Sequence, residues 1–382
     1  MKEEKKYEEF FMKNEKILRR SKNILWKNHL ELLSKNKKYF SESDKIKIRE
    51  LLYNTIPSEY RSEYWFIATG AKLEYLNKKG YYQKLLTLSK NNKNILNSSK
   101  TQYNLKTQTH MNFIKDKKNM EKLNNILNAF QIRNNLKENY YFKGLISIAE
   151  QILLVINDEE KAFWILIKII EDYLPFNYYV ELIGVKINIS IAYSIIKIYF
   201  SEISEELKLC INNLLCHCFI SLFSEIFEPE IVRIIWDAFF LLGDAILFRT
   251  FKFISIFSFD DKIKKLNDAE NIFQNIKNKL FEFNNYDLLN YFLLVEKSIT
   301  NFFINEYRKR KRQKLMKQME NNNIFNKPLN NKKILFPDYK VLILKKMPKR
   351  INNYFYEKIK NKCLKNNKYY IIDNEDDILI EK

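Results

Sequence analysis

The sequence predicts an all-α protein, and three observations carry that prediction. Only 5 Gly and 6 Pro fall within 382 residues, so helix-breaking positions are sparse. The long segments between them are rich in Lys, Leu, Ile and Asn, and their apolar residues recur at three and four, the helical period. Hydrophobic residues make up 46% and aromatics 15% of the chain, enough for a sizeable common core. The run at 231–249, IVRIIWDAFFLLGDAILFR, is the element around which the chain is organised. Ile231, Ile234, Ile235, Phe239, Leu242 and Ile246 line one helical face there. Trp236 and Asp237 sit in its middle, and Gly243 punctuates it.

In chain order, residues 1–49 form a charged, helix-like segment with apolar positions at Phe10, Phe11, Ile17, Leu18, Ile24 and Leu25. Trp26 and His29 fall on it, and a lone His there reads as structural or exposed. At 56–65, IPSEYRSEYW, Pro57 is well placed to start a helix because its missing N–H lies at an end that lacks a partner anyway. Glu59 and Glu63 favour that positive end, and Arg61 and Trp65, four apart, share a face. Gly80 precedes Tyr81-Tyr82 and Leu85-Leu86. Residues 88–112 are polar, rich in Asn, Ser and Thr, and predict a loop. Helical period returns at 120–133 with Leu123, Ile126, Leu127 and Phe130. Tyr141-Phe142-Lys143-Gly144 opens a further apolar helix. Ala162-Phe163-Trp164 begins another that closes on Tyr173-Leu174-Pro175. Leu222-Phe223 and Pro229 precede the Trp236-Asp237 helix, and helices continue to about residue 304.

The order of these motifs resembles the TBC domain, the all-helical fold of GTPase-activating proteins (GAPs) for Rab-type small GTPases. That family has Ile-Pro, an Arg with a Trp four residues on, Gly-Tyr-Tyr with a Leu pair, Tyr-x-Gln-Gly, Ala-Phe-Trp, Tyr-Leu-Pro, and Leu-Phe before a Pro and a Trp-Asp helix. Arg61, Trp65, Gly144, Trp164, Trp236 and Asp237 stand at the matching positions. The resemblance spans about residues 50–300 and implies a TBC-type multi-helix fold. It gives three segments: 1–49 N-terminal helical, 50–304 TBC, and 305–382 a basic helical and linker tail.

What the resemblance implies about chemistry is a pair of side chains supplied in trans. GTP hydrolysis by a small GTPase is slow because charge on the transferred phosphoryl group lacks a cation and the attacking water is poorly held. TBC domains resemble other GAPs in supplying an arginine, and they add a glutamine for the water. Here no arginine lies between Arg61 and Arg133. The best register puts Lys106-Thr107 where the family has Arg-Thr, with Lys100-Thr101 second, and the motif's acidic residue is missing in both. The glutamine position is Lys143. Lysine is a point charge, not a planar fork able to bridge a phosphoryl oxygen and the leaving group. Protonated Lys143 cannot accept a hydrogen bond from water. Gln102 or Gln108 could serve by a shifted register, or the GTPase could keep its own glutamine and need only a cation. Arg61, Trp65, Trp164, Trp236 and Asp237 read as fold-holding residues: buried Trp anchors a helical core, and a buried Asp needs a partner such as an Arg.

Composition bounds the rest. Net charge is +20, and residues 305–382 alone hold 21 Lys/Arg against 9 Asp/Glu. Such a tail suits anionic partners such as a membrane surface or nucleic acid, although Lys also solvates surfaces without any partner. The 308–312 run RKRKR lies on a basic helix, 321–333 reads as a linker, and Val341–Leu344 as a short strand or helix cap. Cys210, Cys216, Cys218 and Cys363 include no C-x-x-C pair. The expected setting is therefore reducing and cytoplasmic, peripheral on endomembranes at most. Adjacent positions on a helix point in different directions, so Cys216-His217-Cys218 is no zinc site. The first residues, MKEEKKYEEF, carry no signal pattern, and no charge-free run reaches spanning length. No G-x-x-x-x-G-K-[ST] loop occurs, so no cofactor is expected, with GTP and Mg held by the partner GTPase. The Tyr and Phe of 50–300 follow core periodicity, which argues against nucleic acid as partner. The expected function is Rab-type GTPase binding in vesicle traffic with degenerate or absent GAP activity. An active Rab GAP with non-standard residues and an unrelated helical scaffold or nucleic-acid binder are the alternatives.

Overall fold

The structure, a computed structural model, describes residues 23–30, 40–52, 55–91, 116–134, 143–175, 178–179, 182–199, 205–258 and 299–321. Every regular element among them is helical. The chain divides into two compact units, one of residues 1–178 and 220–243, the other of 179–219 and 244–382.

After a helical stretch at 23–30 come α1 (Glu42–Leu52), α2 (Ser58–Ala68), α3 (Ala71–Asn77) and α4 (Tyr81–Asn91). They are followed by α5 (Lys117–Arg133), α6 (Lys143–Leu153) and α7 (Glu159–Lys168), which runs into a π turn at Ile169–Tyr173. Then come α8 (Ile183–Tyr199), α9 (Glu205–Ser221), α10 (Pro229–Leu242), α11 (Ala245–Ser258) and α12 (Asn301–Asn321). No described helix is long and apolar enough to cross a membrane.

Local chemistry sets the helix ends. Pro57 stands at the N-cap of α2 and Pro229 is the first residue of α10. The Asp116 and Asp158 carboxylates accept from the backbone N–H of Lys118 (2.9 Å) and Lys161 (3.0 Å), satisfying donors that have no partner within α5 and α7. The run at 231–249 is two helices, not one. Gly243, at φ 83°, ends α10, and α11 begins two residues on, so Ile246 belongs to the second helix. In the other direction, α4 outlasts its expected end at 87. Leu85, Leu86 and Ser89 are buried, and the Ser89 hydroxyl donates to Leu86 O at 2.8 Å, so the helix persists to Asn91. The remainder of 88–112 lies outside the described residues, as do 259–298 and everything after 321.

In the first unit α5 packs on α4, and α7 packs on α3, α5 and α6. Ten of the fourteen residues of α10 are buried, far more than one amphipathic stripe supplies, which makes it a central helix. The stretch at 23–30 is tied in as well: Trp26 is buried and meets Tyr64 edge-on at 5.9 Å.

In the second unit α8 packs on α11 and α12. The α12 helix runs unbroken across 304/305, and its first half is anchored rather than free. Arg308 is buried, donates from Nε to Asn188 Oδ1 at 2.9 Å, pairs with Asp244 and lies 5.5 Å over the Phe248 ring. Asn301 Oδ1 accepts from Ala245 N–H at the start of α11 (3.0 Å), and Arg249 Nε donates to Ile299 O (2.8 Å).

Candidate functional site

Two features of the first unit stand where the sequence motifs fall. One is a buried polar cluster between α2 and α10. The other is the start of α6 and the connector it rests on.

Spacing on α2 brings Arg61, Tyr64 and Trp65 to one side, where they meet Asp237 in mid-α10. Arg61 Nε lies 3.0 and 3.2 Å from the two Asp237 oxygens, and Nη2 donates to Ile56 O at 3.0 Å. Trp65 Nε1 donates to Asp237 Oδ1 at 2.7 Å, and the Tyr64 hydroxyl donates to Asp237 O at 2.8 Å. The Asp237 carboxylate therefore has a charge partner and an indole N–H, and its own backbone carbonyl is taken. Trp65 also meets Trp236 at 5.5 Å and Phe240 at 5.2 Å. Burial raises the Asp237 pKa from its ordinary value, opposed by the charge of Arg61 and by the hydrogen bonds from Trp65 and Arg61. Burial first, and the neighbouring Asp237 second, push the Tyr64 phenol well above its usual range. Arg61 is 9% exposed and bonded to Asp237 and Ile56, so this cluster holds helices together.

The α6 helix begins at Lys143. Three successive turns of α6 are fixed on the end of α9, on the connector that follows it and on the first residue of α10. At Gly144 an added Cβ would lie 2.6 Å from the Ile220 carbonyl carbon, a backbone atom with no room to yield. The Ser147 hydroxyl bonds to Glu225 Oε1 at 3.1 Å, and Gln151 Nε2 donates to Pro229 O at 3.3 Å. The connector is itself an unusual stretch. Leu222 and Phe223 both have positive φ, 50° and 71°, which bulky residues rarely adopt. They are fully buried, and Trp236 Nε1 donates to Leu222 O at 3.0 Å. Burial and that bond hold the strained pair. Sequence reasoning picked out Leu222-Phe223 and Gly144 as motif residues without seeing the reason, which is this backbone packing. Gly144→Ala is expected to destabilise the first unit by about 1–3 kcal/mol, read by urea unfolding; an unchanged midpoint would show that α6 shifts freely on the connector.

Trp164 lies in a third cluster, buried under Tyr81 (5.8 Å, stacked), with Lys78 Nζ 5.5 Å and the Arg133 guanidinium 6.0 Å from its ring. Arg133 is held by Glu171 through two 2.8 Å bonds, which raise its pKa further. The arginines on either side of the gap, Arg61 and Arg133, are thus both committed to structure. Lys106, Lys100, Gln102 and Gln108 lie outside the described residues, as does the Lys143 side chain. Among the described residues no group of three or more His, Cys, Asp or Glu is placed to hold a metal ion.

Comparison with known proteins agrees with this arrangement. Residues 58–264, more than half of the chain, match the family model described as Rab-GTPase-TBC domain. Growth hormone-regulated TBC protein 1 of Xenopus laevis is 28% identical over 248 residues, covering 64% of this chain and 70% of that protein. Its human counterpart is 27% identical over 207 residues, 53% of this chain and 61% of that protein. The crystal structure of a Chlamydomonas flagellar RabGAP TBC domain shares the fold, with a TM-score of 0.52 at 21% identity over 73% of this chain and 94% of that one. The family match starts at the first residue of α2 and takes in the Arg61–Asp237 cluster, the Gly144 contact and the Trp164 helix; the chain belongs to the Rab-GTPase-TBC domain family.

Proposed function

We propose that this TBC protein binds a Rab-type small GTPase in vesicle traffic and that its GAP activity is degenerate or absent. The single observation behind this is a division between scaffold and chemistry. The residues that hold the TBC fold are present and bonded: Arg61 to Asp237, Gly144 against Ile220, Trp236 to Leu222. The residues that would act on GTP are replaced. No arginine lies between 61 and 133, and Lys143 stands at the start of α6 in place of glutamine. A chain selected only for its fold would keep the first set and lose the second. GTP and its Mg belong to the partner in this reading. The setting is cytoplasmic, with peripheral attachment to endomembranes through the basic tail.

The test is a panel of Rab-type GTPases, each examined for binding in its GTP and GDP states and for single-turnover hydrolysis. The expected result is nucleotide-dependent binding to one member with no acceleration. Acceleration that is lost in Lys106→Ala or Lys143→Ala would instead establish a GAP with non-standard residues. Neither binding nor acceleration would leave only the fold.

A further inference from the structure

We infer that the solvent face of α12 docks on an anionic lipid surface, with Phe302 as its apolar anchor and Lys309 and Arg310 as its cationic contacts. This deepens the peripheral attachment proposed above by replacing a long charged tail with one face of one helix.

Three observations carry it. First, α12 is held in a fixed orientation by its other face. Ile304 and Arg308 are buried, with Arg308 bonded to Asn188 and Asp244, and Asn301 bonds the start of α11. One side of the helix is therefore committed, and Phe302, Lys309 and Arg310 are exposed away from it. Second, that surface is cationic and unpaired. Seven Lys/Arg and two Asp/Glu lie in 301–321. Lys309 and Arg310 are exposed, and among the described residues neither they nor Lys311 and Arg312 form an ion pair. Third, Phe302 is 74% exposed, the most exposed large hydrophobic residue of those described. It lies seven residues before Lys309, two helical turns along the same face.

A fixed cationic face with a protruding aromatic ring fits a bilayer interface. The charges meet anionic headgroups while the ring enters the boundary between headgroups and acyl chains. A nucleic acid would use the same charges, but among the described residues Phe302 has no ring partner with which to make a stacking platform, since Phe303 and Tyr307 pair with each other and are half-buried.

The experiment is co-sedimentation of the full chain with phosphatidylcholine vesicles, with and without phosphatidylserine. Binding is expected only with phosphatidylserine and is expected to weaken with added salt. Lys309→Glu with Arg310→Glu is expected to weaken it at least about tenfold, and Phe302→Ala about threefold to tenfold. Circular dichroism checks that both variants keep their helix content. Wild-type binding that survives both variants overturns the assignment to α12 but leaves attachment through the tail standing. No vesicle binding removes the attachment altogether, as does tight RNA binding without vesicle binding. None of these outcomes touches the Rab-type GTPase reading, which the hydrolysis panel decides separately.

Discussion

Asp237→Ala is expected to lower the stability of the first unit by about 3–5 kcal/mol. The change leaves the Arg61 guanidinium buried without its counter-charge and Trp65 Nε1 without its acceptor, since the carboxylate serves both. All four tryptophans of the chain, Trp26, Trp65, Trp164 and Trp236, lie in the first unit. Tryptophan fluorescence during urea unfolding therefore reports that unit selectively, even if the two units unfold separately. Arg61→Ala is expected to be equally harmful at neutral pH but to behave differently in acid. Burial already raises the folded pKa of Asp237, and removing Arg61 removes the main opposing influence, so the pKa rises further. The folded state then binds a proton that the unfolded state has lost. Stability falls as pH rises from the ordinary aspartate value, about 4, through the raised folded value. Lowering the pH through that window should rescue much of Arg61→Ala and none of Asp237→Ala. A loss below about 1 kcal/mol in Asp237→Ala, or identical pH profiles for the two variants, would show that the cluster is not a coupled buried pair.

The legible parts of this fold were those written in helical spacing. Arg61 and Trp65, four apart, share a face of α2, and the rule that a buried Asp needs a charge partner anticipated a link that joins residues 176 positions apart. The importance of α10 was also legible from its one apolar face, whereas burial beyond that face, to ten of its fourteen residues, was not. Other features depend on backbone geometry and tertiary contact, which leave little mark on composition. Leu222 and Phe223 look like any apolar pair, yet they form a left-handed turn that only the surrounding core sustains. Gly144 carries no sign of the Ile220 backbone beside it. Ser89 and its polar neighbours suggested a loop, but packing of Leu85 and Leu86 against the core carried the helix through them. Arg308 sits in a run of five basic residues that reads as uniformly solvated, and only the fold separates the one that is buried from the two that are exposed. For the site, the proposed exchange of glutamine for Lys143 rests on the Tyr-Phe-Lys-Gly motif alone. No such motif marks the arginine position, because 98–108 is polar and has no apolar period to fix its register.

On the proposed reading, in which Lys106 and Lys143 stand at the arginine and glutamine positions, restoring both side chains is the largest change expected of this protein. Lys143→Gln combined with Lys106→Arg should raise single-turnover GTP hydrolysis by the bound GTPase about 10³-fold or more, since an arginine supplied in trans is worth roughly 10³–10⁵. Each exchange supplies a different missing element. A glutamine at position 143 would present a carbonyl that accepts from the attacking water and an amide that donates, whereas protonated lysine only donates. An arginine at position 106 would provide a planar fork able to contact a phosphoryl oxygen and the leaving group together, which an ammonium cannot do. Stability is not expected to suffer, because Lys and Gln have nearly equal helix propensity and Gly144, which fixes the start of α6, is untouched. The single variants separate the two contributions: Lys143→Gln alone should do little if the missing cation is the larger defect. Lys143→Gln with Lys100→Arg tests the second register of the loop. If one pair accelerates hydrolysis and the other does not, the register is fixed by function. If neither does while the GTPase still binds in its GTP form, the loss of activity extends beyond two side chains to the path of the loop that presented the arginine, and the protein is a binder by backbone as well as by sequence.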